Sequence, residues 1–313
     1  MTGDPVTESV ELTGKRIVVL GATGMVATPV IHSLAGDNEV WGVARFHNRR
    51  ARAALDGRGV HTVAVDLADP DLSGLPGDVD YVVNLAVTHA DDFATALRAN
   101  AESLGLVMAH FKRARAFLHC SSTGVYAPNG THPMREDDPL GDNHRAMLPT
   151  YSISKIAAES VARLSARLHD LPTVIARLNV PYGDCVAWPS IHLECILSGQ
   201  PIQVLPGGPS VYSPIHSDDI IRQIPKLLAV ADVAAPTVNW AGPDVVSVQE
   251  WCAYLGSLVG RDPVFEETEA ALPSVAVDVT LMEKLIGPAQ VRWRDGMARM
   301  VATSHPELPL NSA

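Results

Sequence analysis

A glycine turn between a short apolar run and a helical pattern constrains the fold of this chain most strongly. Gly21, Gly24 and Ala27 form a G-x-x-G-x-x-A pattern directly after the apolar run Ile17–Leu20. Glycine at the first two positions allows a tight turn and close approach to a pyrophosphate, and the small Ala27 allows close helix–strand packing. Free N–H groups at the start of the following helix would favour that anion. The turn therefore predicts a nicotinamide dinucleotide site, and the predicted contacts are Gly21, Thr23, Gly24, Met25 and Val26.

Apolar runs and helical patterns alternate through the first 180 residues. This alternation is typical of βαβ units and a parallel sheet. The predicted strands are Arg16–Leu20, Glu39–Ala44, Thr62–Val65, Tyr81–Ala86, Ala116–Cys120 and Thr173–Leu178. The predicted helical stretches are Met25–Leu34, Asn48–Leu55, Asp91–Lys112 and Thr150–His169. We therefore expect an α/β fold, a Rossmann-type doubly wound parallel sheet with a smaller C-terminal substrate-binding lobe.

Proline and glycine become frequent after Val180, which predicts a change of architecture. We expect a dinucleotide-binding Rossmann domain at residues 14–180. Its sheet would be completed by about 211–242, where Val211–Ile221 and Pro236–Trp240 return to it. The smaller lobe would comprise residues 181–210 and 243–300.

Composition excludes several classes of protein. The 313 residues are 47% apolar and 19% charged, which is typical of a globular chain, and the net charge of -11 argues against a nucleic-acid partner. No apolar run approaches the roughly 18 residues that a membrane span needs, and the first 14 residues lack the apolar core of a signal peptide. We expect a cytoplasmic protein with reduced cysteines and, because no ligand spacing is present, no metal site.

The residue after the second predicted strand bears on which dinucleotide is bound. Enzymes that use NAD place an acid there, to accept a hydrogen bond from the ribose 2′-hydroxyl. Here Arg45 occupies that place, followed by Arg49, Arg50 and Arg52. Guanidinium groups suit a 2′-phosphate, so the pattern favours NADP, with NAD as the alternative. A solvated helix start would also explain the basic cluster.

A tyrosine and a lysine lie four residues apart at the start of the fourth predicted helix. Tyr151 and Lys155 would share one helix face, although this spacing also arises by chance in amphipathic helices. A nearby ammonium and a positive nicotinamide ring would lower the pKa of the phenol toward neutrality, which suits an acid–base group. The hydroxyl-rich segment Ser121–Tyr126 follows a predicted strand and could polarise a carbonyl.

Together these motifs resemble the extended short-chain dehydrogenase/reductase family, whose label is often NAD-dependent epimerase/dehydratase. The resemblance runs from about Lys15 to Ile221, and more loosely to Arg299. It implies that Ser122, Tyr151 and Lys155 are catalytic, with Tyr151 as the acid–base group and Ser122 polarising the carbonyl. It also implies cofactor contacts from further residues, namely Arg45, Asp66, Leu67, Leu85, Ala86, Val87, Tyr151 and Lys155. A homodimer through the helices at 91–112 and 150–169 is implied as well.

Departures from the family pattern bear on the substrate. Dehydratases carry an Asp-Glu pair where Thr123 and Gly124 stand, so dehydration is not expected. Nucleotide-sugar members usually place an arginine at the position of Tyr212, and Asn179 is one residue out of step with its motif. His216 and Asp219 are expected to fix the chain near the cleft. The residues expected to line the substrate are His89, Thr123, Asn179 and Tyr212.

Three functions remain open from the sequence. The first is an NAD(P)-dependent ketone reductase or alcohol dehydrogenase that acts on a small molecule. The second is a nucleotide-sugar epimerase that uses bound NAD. The third is a non-catalytic dinucleotide-binding protein, which the presence of Ser122, Tyr151 and Lys155 disfavours because such a protein needs none of them.

Overall fold

The fold centres on a seven-stranded parallel sheet. A computed structural model describes residues 9–183 and 185–308, and the strand order of its sheet is β11-β6-β5-β4-β1-β2-β3. The strands are β1 (Arg16–Leu20), β2 (Glu39–Ala44), β3 (His61–Ala64), β4 (Tyr81–Asn84), β5 (Ala116–Ser122), β6 (Thr173–Leu178), β7 (Pro181–Tyr182), β8 (Ile202–Val204), β9 (Val211–Tyr212), β10 (Ile215–His216), β11 (Thr237–Trp240), β12 (Val246–Ser247) and β13 (Phe265–Glu267). Strands β2 and β3 are added on one side of β1, whereas β4, β5, β6 and β11 are added on its other side, so the strand order reverses between β1 and β4. The predicted doubly wound parallel fold is confirmed.

Helices cover both faces of this sheet. They are α1 (Ala27–Leu34), α2 (Arg49–Asp56), α3 (Phe93–Leu97), α4 (Ser103–His110), α5 (Tyr151–His169), α6 (Trp188–Ser198), α7 (Ser217–Ala229), α8 (Val248–Val259), α9 (Thr280–Ile286) and α10 (Trp293–Ser304). A π-helical turn, Arg98–Glu102, joins α3 to α4 within the stretch predicted as one helix. No helix in residues 9–183 and 185–308 is long and apolar enough to cross a bilayer.

The alternation of side chains along the strands explains why both faces are covered. In β1, Ile17 and Val19 belong to one hydrophobic cluster, whereas Val18 and Leu20 belong to the other. Successive strand residues point to opposite faces, so a strand that is apolar throughout must be buried on both sides. Helices α1 and α7 pack on the first face, and α4 and α5 pack on the second.

A third hydrophobic cluster lies in the C-terminal half of the chain. It packs residues of α6, α8 and α10 around Tyr182, Tyr212 and Trp251. The small strand pairs β9–β12 and β8–β13 border it.

One prediction about the sheet is wrong. Val211–Ile221 does not return to the central sheet, because β9 pairs with β12, β10 pairs with β7, and α7 begins at Ser217. The other segment does return, since β11 pairs in parallel with β6. The boundaries of the two predicted domains stay a prediction.

Candidate active site

The turn after β1 presses against the segment that follows β4. Gly21 has a φ of +83°, and a Cβ there would lie 2.8 Å from the Ala86 Cα. The N–H groups of Gly21 and Ala22 both donate to the Val43 carbonyl, at 2.8 and 3.0 Å. A side chain at position 21 would therefore force the two loops apart, in addition to the strain of its left-handed backbone.

The same turn exposes backbone donors. Gly24 N–H is used locally, since it donates to Gly21 O at 2.7 Å. Within residues 9–183 and 185–308, the N–H groups of Thr23, Met25 and Val26 have no hydrogen-bond partner. They stand just before α1, where unpaired amides and the helix dipole favour an anion. The turn thus fits the pyrophosphate of a dinucleotide.

The other predicted cofactor contacts lie at the ends of β2, β3 and β4. Arg45 follows β2 directly and is exposed. Asp66 is also exposed and accepts a hydrogen bond from Ala68 N–H at 3.0 Å, with the half-buried Leu67 beside it. After β4, Leu85 and Ala86 are half-buried and Val87 is 39% exposed. All of these predicted cofactor contacts follow the carboxyl ends of parallel strands, where open α/β sheets bind their ligands.

The arginines that follow β2 divide into two groups. Arg52 is committed to the protein, because its Nε donates to Thr62 Oγ1 at 2.9 Å and its guanidinium lies 5.4 Å from the Phe46 ring centre. The exposed side chains of Arg45, Arg49 and Arg50 make no hydrogen bond or ion pair with the described part of the chain. Three cations are therefore available to an anionic ligand beside β2.

Ser122, Tyr151 and Lys155 meet at the end of β5. Ser122 is the last residue of that strand and is 8% exposed, and its Oγ accepts from Gly124 N–H at 3.0 Å. Tyr151 is the first residue of α5 and is hydrogen-bonded to Ser122. Lys155 follows one turn later, buried, and its Nζ donates to the Cys120 carbonyl at 3.0 Å. The structure thus brings the three predicted catalytic side chains together.

The acidity of Tyr151 differs from the expectation. Burial raises the pKa of Tyr151 to about 12, and the hydrogen bond with Ser122 offsets this only in part. The expected lowering by Lys155 is absent from the chain alone, because the ammonium is hydrogen-bonded to the Cys120 carbonyl and burial lowers the pKa of Lys155 itself. Tyr151 is therefore a neutral phenol near pH 7, ready to donate a proton.

Two imidazole rings lie nearly parallel to the Tyr151 ring. His89 is 5.7 Å from it between ring centres and His144 is 5.5 Å away, with interplanar angles of 18° and 17°. Burial lowers the pKa of His144 to about 4, and burial together with Lys155 lowers the pKa of His89. Neutral imidazoles thus surround the phenol.

His144 is a site residue that the sequence reasoning missed. A Cβ at Gly124 would lie 2.8–3.0 Å from three atoms of its ring, so the imidazole fills the space that a side chain at position 124 would need. His144 is anchored by its N–H to Ser152 Oγ at 3.1 Å and by a ring hydrogen bond to Asn143 Oδ1. The only signal in the sequence was a histidine seven residues before Tyr151.

Comparison with known proteins places this geometry in a family. Residues 17–240 match the NAD dependent epimerase/dehydratase family, which is well over half of the chain. The chain belongs to this family. Its members are nicotinamide-dependent enzymes, as the resemblance of the motifs predicted. No curated protein sequence matches the chain.

Solved structures of other proteins share the fold of this family member. The UDP-N-acetylglucosamine 4-epimerase of Methanobrevibacter ruminantium superposes with a TM-score of 0.80 at 17% identity, over 95% of this chain and 100% of that one. The UDP-glucuronic acid 4-epimerase of Bacillus cereus, in complex with UDP-glucuronic acid and NAD, gives 0.78 at 20% identity over 91% and 97%. The dTDP-glucose 4,6-dehydratase of Streptomyces venezuelae, with NAD bound, gives 0.77 at 22% identity over 93% and 98%. At these identities the likeness concerns the fold alone.

Two residues predicted to line the substrate, Asn179 and Thr123, are hydrogen-bonded within the protein. Asn179 is buried, and its Nδ2 donates to Thr123 Oγ1 at 3.0 Å and to Val275 O at 2.8 Å. Its Oδ1 accepts from Val180 and Ser213 N–H groups. Thr123 is buried beside it. In this family member the pair links the central sheet to the C-terminal half, and a substrate contact from either stays a prediction.

Tyr212 is also committed to the protein. It is 3% exposed, and its hydroxyl donates to the carbonyls of Leu272 and Pro273, at 3.0 and 3.1 Å. Its ring packs edge-on against Trp188, at 5.3 Å. Tyr212 therefore offers ring surface to its surroundings, whereas the arginine usual in nucleotide-sugar members would offer a charge.

The His-x-x-Asp segment, which was predicted to fix the chain near the cleft, makes well-defined contacts at the start of α7. His216 precedes α7, and its Nδ1 accepts from Asp218 N–H at 3.1 Å. Asp219 is fully buried, accepts from the Gln290 and Val291 N–H groups at 2.8 and 2.9 Å, and pairs with Arg222. These contacts tie α7 to the segment before α10.

Proposed function

We propose that this chain moves a hydride and a proton at one hydroxyl- or carbonyl-bearing carbon of a small molecule, with a nicotinamide dinucleotide as its redox partner. The observation that carries the proposal is the meeting of Ser122, Tyr151 and Lys155 at the end of β5, one strand away from the β4–β1 switch point and its glycine turn. A non-catalytic binding protein would need none of these three side chains.

The residues divide the chemistry among themselves. The Ser122 hydroxyl hydrogen-bonds the substrate oxygen and polarises a carbonyl. Tyr151, whose pKa is raised to about 12, holds its proton near pH 7 and donates it to that oxygen during reduction. In the reverse direction the Tyr151 phenol must first lose its proton to solvent, and the resulting phenolate then accepts the proton of an alcohol. The bound dinucleotide supplies or accepts the hydride.

Epimerisation is the outcome that family membership and the fold comparisons support better. An epimerase uses the same residues for transient oxidation, followed by reduction from the other face, and its dinucleotide stays bound. Several proteins of the same fold are 4-epimerases, which favours this alternative over the net reductase. The UDP and dTDP sugars that those proteins act on are not carried over, because Tyr212 stands where the arginine would be.

Net oxidoreduction with NADP is the second candidate, and the free arginines beside β2 favour it. Arg45, Arg49 and Arg50 are exposed and unpaired within the described residues, as a 2′-phosphate site requires. The structural neighbours were solved with NAD, so the two cofactors remain to be compared directly. The adenine would be held by Asp66, with Leu67 beside it. The channel for the dinucleotide would be lined by Leu85, Ala86 and Val87.

One experiment separates these candidates. Mass spectrometry of the denatured protein identifies any retained dinucleotide, and NADPH or NADH oxidation is then followed with a panel of neutral ketones. Retained NAD and no net turnover support the epimerase, whereas exchangeable NADP and net turnover support the reductase. If the protein binds neither dinucleotide, the proposed function is wrong.

We also propose a homodimer formed through α4 and α5. Leu106 is 56% exposed, and Leu164 and Leu168, which lie one turn apart on α5, are 58% and 70% exposed. Large apolar side chains grouped on neighbouring helices favour association. Light scattering should give about twice the mass of 33.4 kDa for the wild type. Leu164→Glu combined with Leu168→Glu should give the mass of one chain, and a monomeric wild type would disprove the dimer.

A further inference from the structure

A cavity of about 220 Å³ lies in the C-terminal half, beside the loop that leads to Tyr151. Its walls come from α6, β8, β9, the start of α8 and the segment around Leu272, with Met147 at one side. A buried cavity of about 150 Å³ is known to hold benzene. By proportion this one has room for roughly nine non-hydrogen atoms.

Among the described residues, none that lines the cavity is an aspartate, glutamate, lysine or arginine. Trp188, Ile191 and Leu272 supply apolar surface, and the polar wall residues are neutral. A diphosphate moved into such surroundings would lose its hydration and gain no opposite charge in return. The lining therefore disfavours an anion and favours an uncharged group.

His192 gives this wall one oriented hydrogen-bonding group. Its Nδ1 accepts from the Trp251 indole N–H at 2.9 Å, which places the imidazole proton on Nε2. Burial lowers the pKa of His192 to about 4, so the ring is neutral near pH 7. The histidine is held between Trp188 and Trp251, at 6.2 and 5.7 Å between ring centres. It can donate one hydrogen bond to an acceptor but cannot neutralise a phosphate.

The cavity and the reaction centre share one loop. Met147 and Leu148 N–H groups both donate to the His144 carbonyl, at 3.1 and 2.7 Å, and Tyr151 N–H donates to Leu148 O at 3.1 Å. His144 stacks on Tyr151, while Met147 lines the cavity. The loop from His144 to Tyr151 thus connects the wall of the cavity to the reaction centre.

We propose that this cavity holds an uncharged aromatic or branched aliphatic part of the substrate, so that the substrate is a neutral hydrophobic alcohol or ketone and not a nucleoside diphosphate sugar. This inference rests on the proposed function, because it takes Tyr151 as the reaction centre. It assigns to Trp188, Ile191 and His192 the part that phosphate-binding cations play in nucleotide-sugar enzymes.

Tryptophan fluorescence of the full chain tests the proposal without turnover, because Trp188 forms part of the wall. The probe is 4-phenyl-2-butanone, whose phenyl group fits the cavity, and UDP-glucose is the comparison ligand. We expect saturable quenching by the ketone and no change with UDP-glucose at millimolar concentration. Ile191→Glu, at a position that is 45% exposed, should weaken the affinity for the ketone by about tenfold, because it places a charge in the wall of the cavity.

Val245→Glu is the matched control, since Val245 is 49% exposed and lies outside the cavity lining. It should bind the ketone as the wild type does, and circular dichroism should show that both variants are folded. Saturable binding of UDP-glucose, or equal ketone binding by the Ile191 and Val245 variants, would overturn the inference. Tyr151→Phe should retain the quenching, so a catalytic failure is distinguished from a failure of this cavity.

Discussion

The glycine turn after β1 and the cavity beside Trp188 are both candidate binding surfaces, but different parts of the chain form them. In the turn, backbone N–H groups and the missing side chain at Gly21 make the surface. In the cavity, side chains from segments between residues 147 and 272 make it. The turn has a Cα 2.8 Å from where a methyl group at position 21 would stand, whereas the cavity has 220 Å³ of space. A single methyl group should therefore matter far more in the turn than in the cavity wall.

The largest effect is expected at Tyr151, the proton donor of the proposed reaction. Tyr151→Phe removes the proton donor but keeps the ring that packs with His89 and His144. We expect kcat on the best ketone of the panel to fall by about 10²–10⁴, with the dinucleotide affinity within about twofold of the wild type. Tyr254→Phe, on α8 beside Trp293, should leave kcat unchanged. A Tyr151→Phe rate close to that of the wild type would remove Tyr151 from the mechanism.

A methyl group at Gly21 tests the turn. Gly21→Ala should lower the free energy of unfolding by about 1–3 kcal/mol and weaken NADPH by about tenfold or more, since the turn must move away from Ala86. Gly14→Ala is the control, because Gly14 also has a positive φ, of +66°, but no atom of the described residues stands within 4 Å of its Cβ position. Fluorescence titration and thermal unfolding measure the two effects. Equal NADPH affinity in the two variants would show that the close approach is unimportant.

Removing a methyl group from the cavity wall should have a smaller effect. Ile202 is 2% exposed on β8 and lines the cavity. Ile202→Val should cost about 0.5–1.5 kcal/mol of unfolding free energy and shift ligand preference toward larger ketones, with NADPH affinity unchanged. Chemical denaturation and the fluorescence titration measure these quantities. A loss of NADPH affinity would mean that the two surfaces are not separate.

The smallest effect concerns acid stability. The folded-state pKa of His144 is about 4 against a usual value of 6.5, so the unfolded chain binds a proton first as the pH falls. The contribution of neutral His144 to the free energy of unfolding is present above pH 6.5 and is lost between pH 6.5 and 4. His144→Phe keeps a ring but cannot titrate. Between pH 7 and 5 its melting temperature should therefore fall by about 2 °C less than that of the wild type. His47→Phe, at an exposed site, should behave as the wild type, and an equal fall in the His144 variant would contradict the assignment.

Much of the fold could be predicted from the sequence because the responsible patterns are local. β1, β2 and β6 begin and end where the apolar runs predicted, since strands buried on both faces must be apolar throughout. Gly21 and Arg45 were identifiable because a turn and a strand end fix their places along the chain. The return of Val211–Ile221 to the sheet was predicted wrongly. The partners of two-residue strands such as β9 and β10 are decided by tertiary packing and not by a local sequence pattern.

The site residues that the sequence did not reveal depend on contacts between distant segments. His144 belongs to the site because its ring packs over Gly124, and Trp188 lines the cavity because α6 packs beside Tyr212. The lowered pKa predicted for Tyr151 presumed a bound nicotinamide ring as well as Lys155, whereas burial raises it to about 12 in the chain by itself. Spacing indicates that Lys155 is near, but burial and the hydrogen bond of its ammonium to Cys120 become visible only in three dimensions.

Gly124 and His144 occupy one volume between them, which has a consequence for the evolution of this site. A side chain can enter that volume from the β5 end or from the loop before α5, but not from both. The two positions are therefore expected to covary among relatives, with a glycine at 124 accompanying the histidine and a smaller residue at 144 accompanying an acid at 124. A change of reaction type at this site would then require replacement of both residues. A single replacement would leave either a steric clash or a cavity between positions 124 and 144.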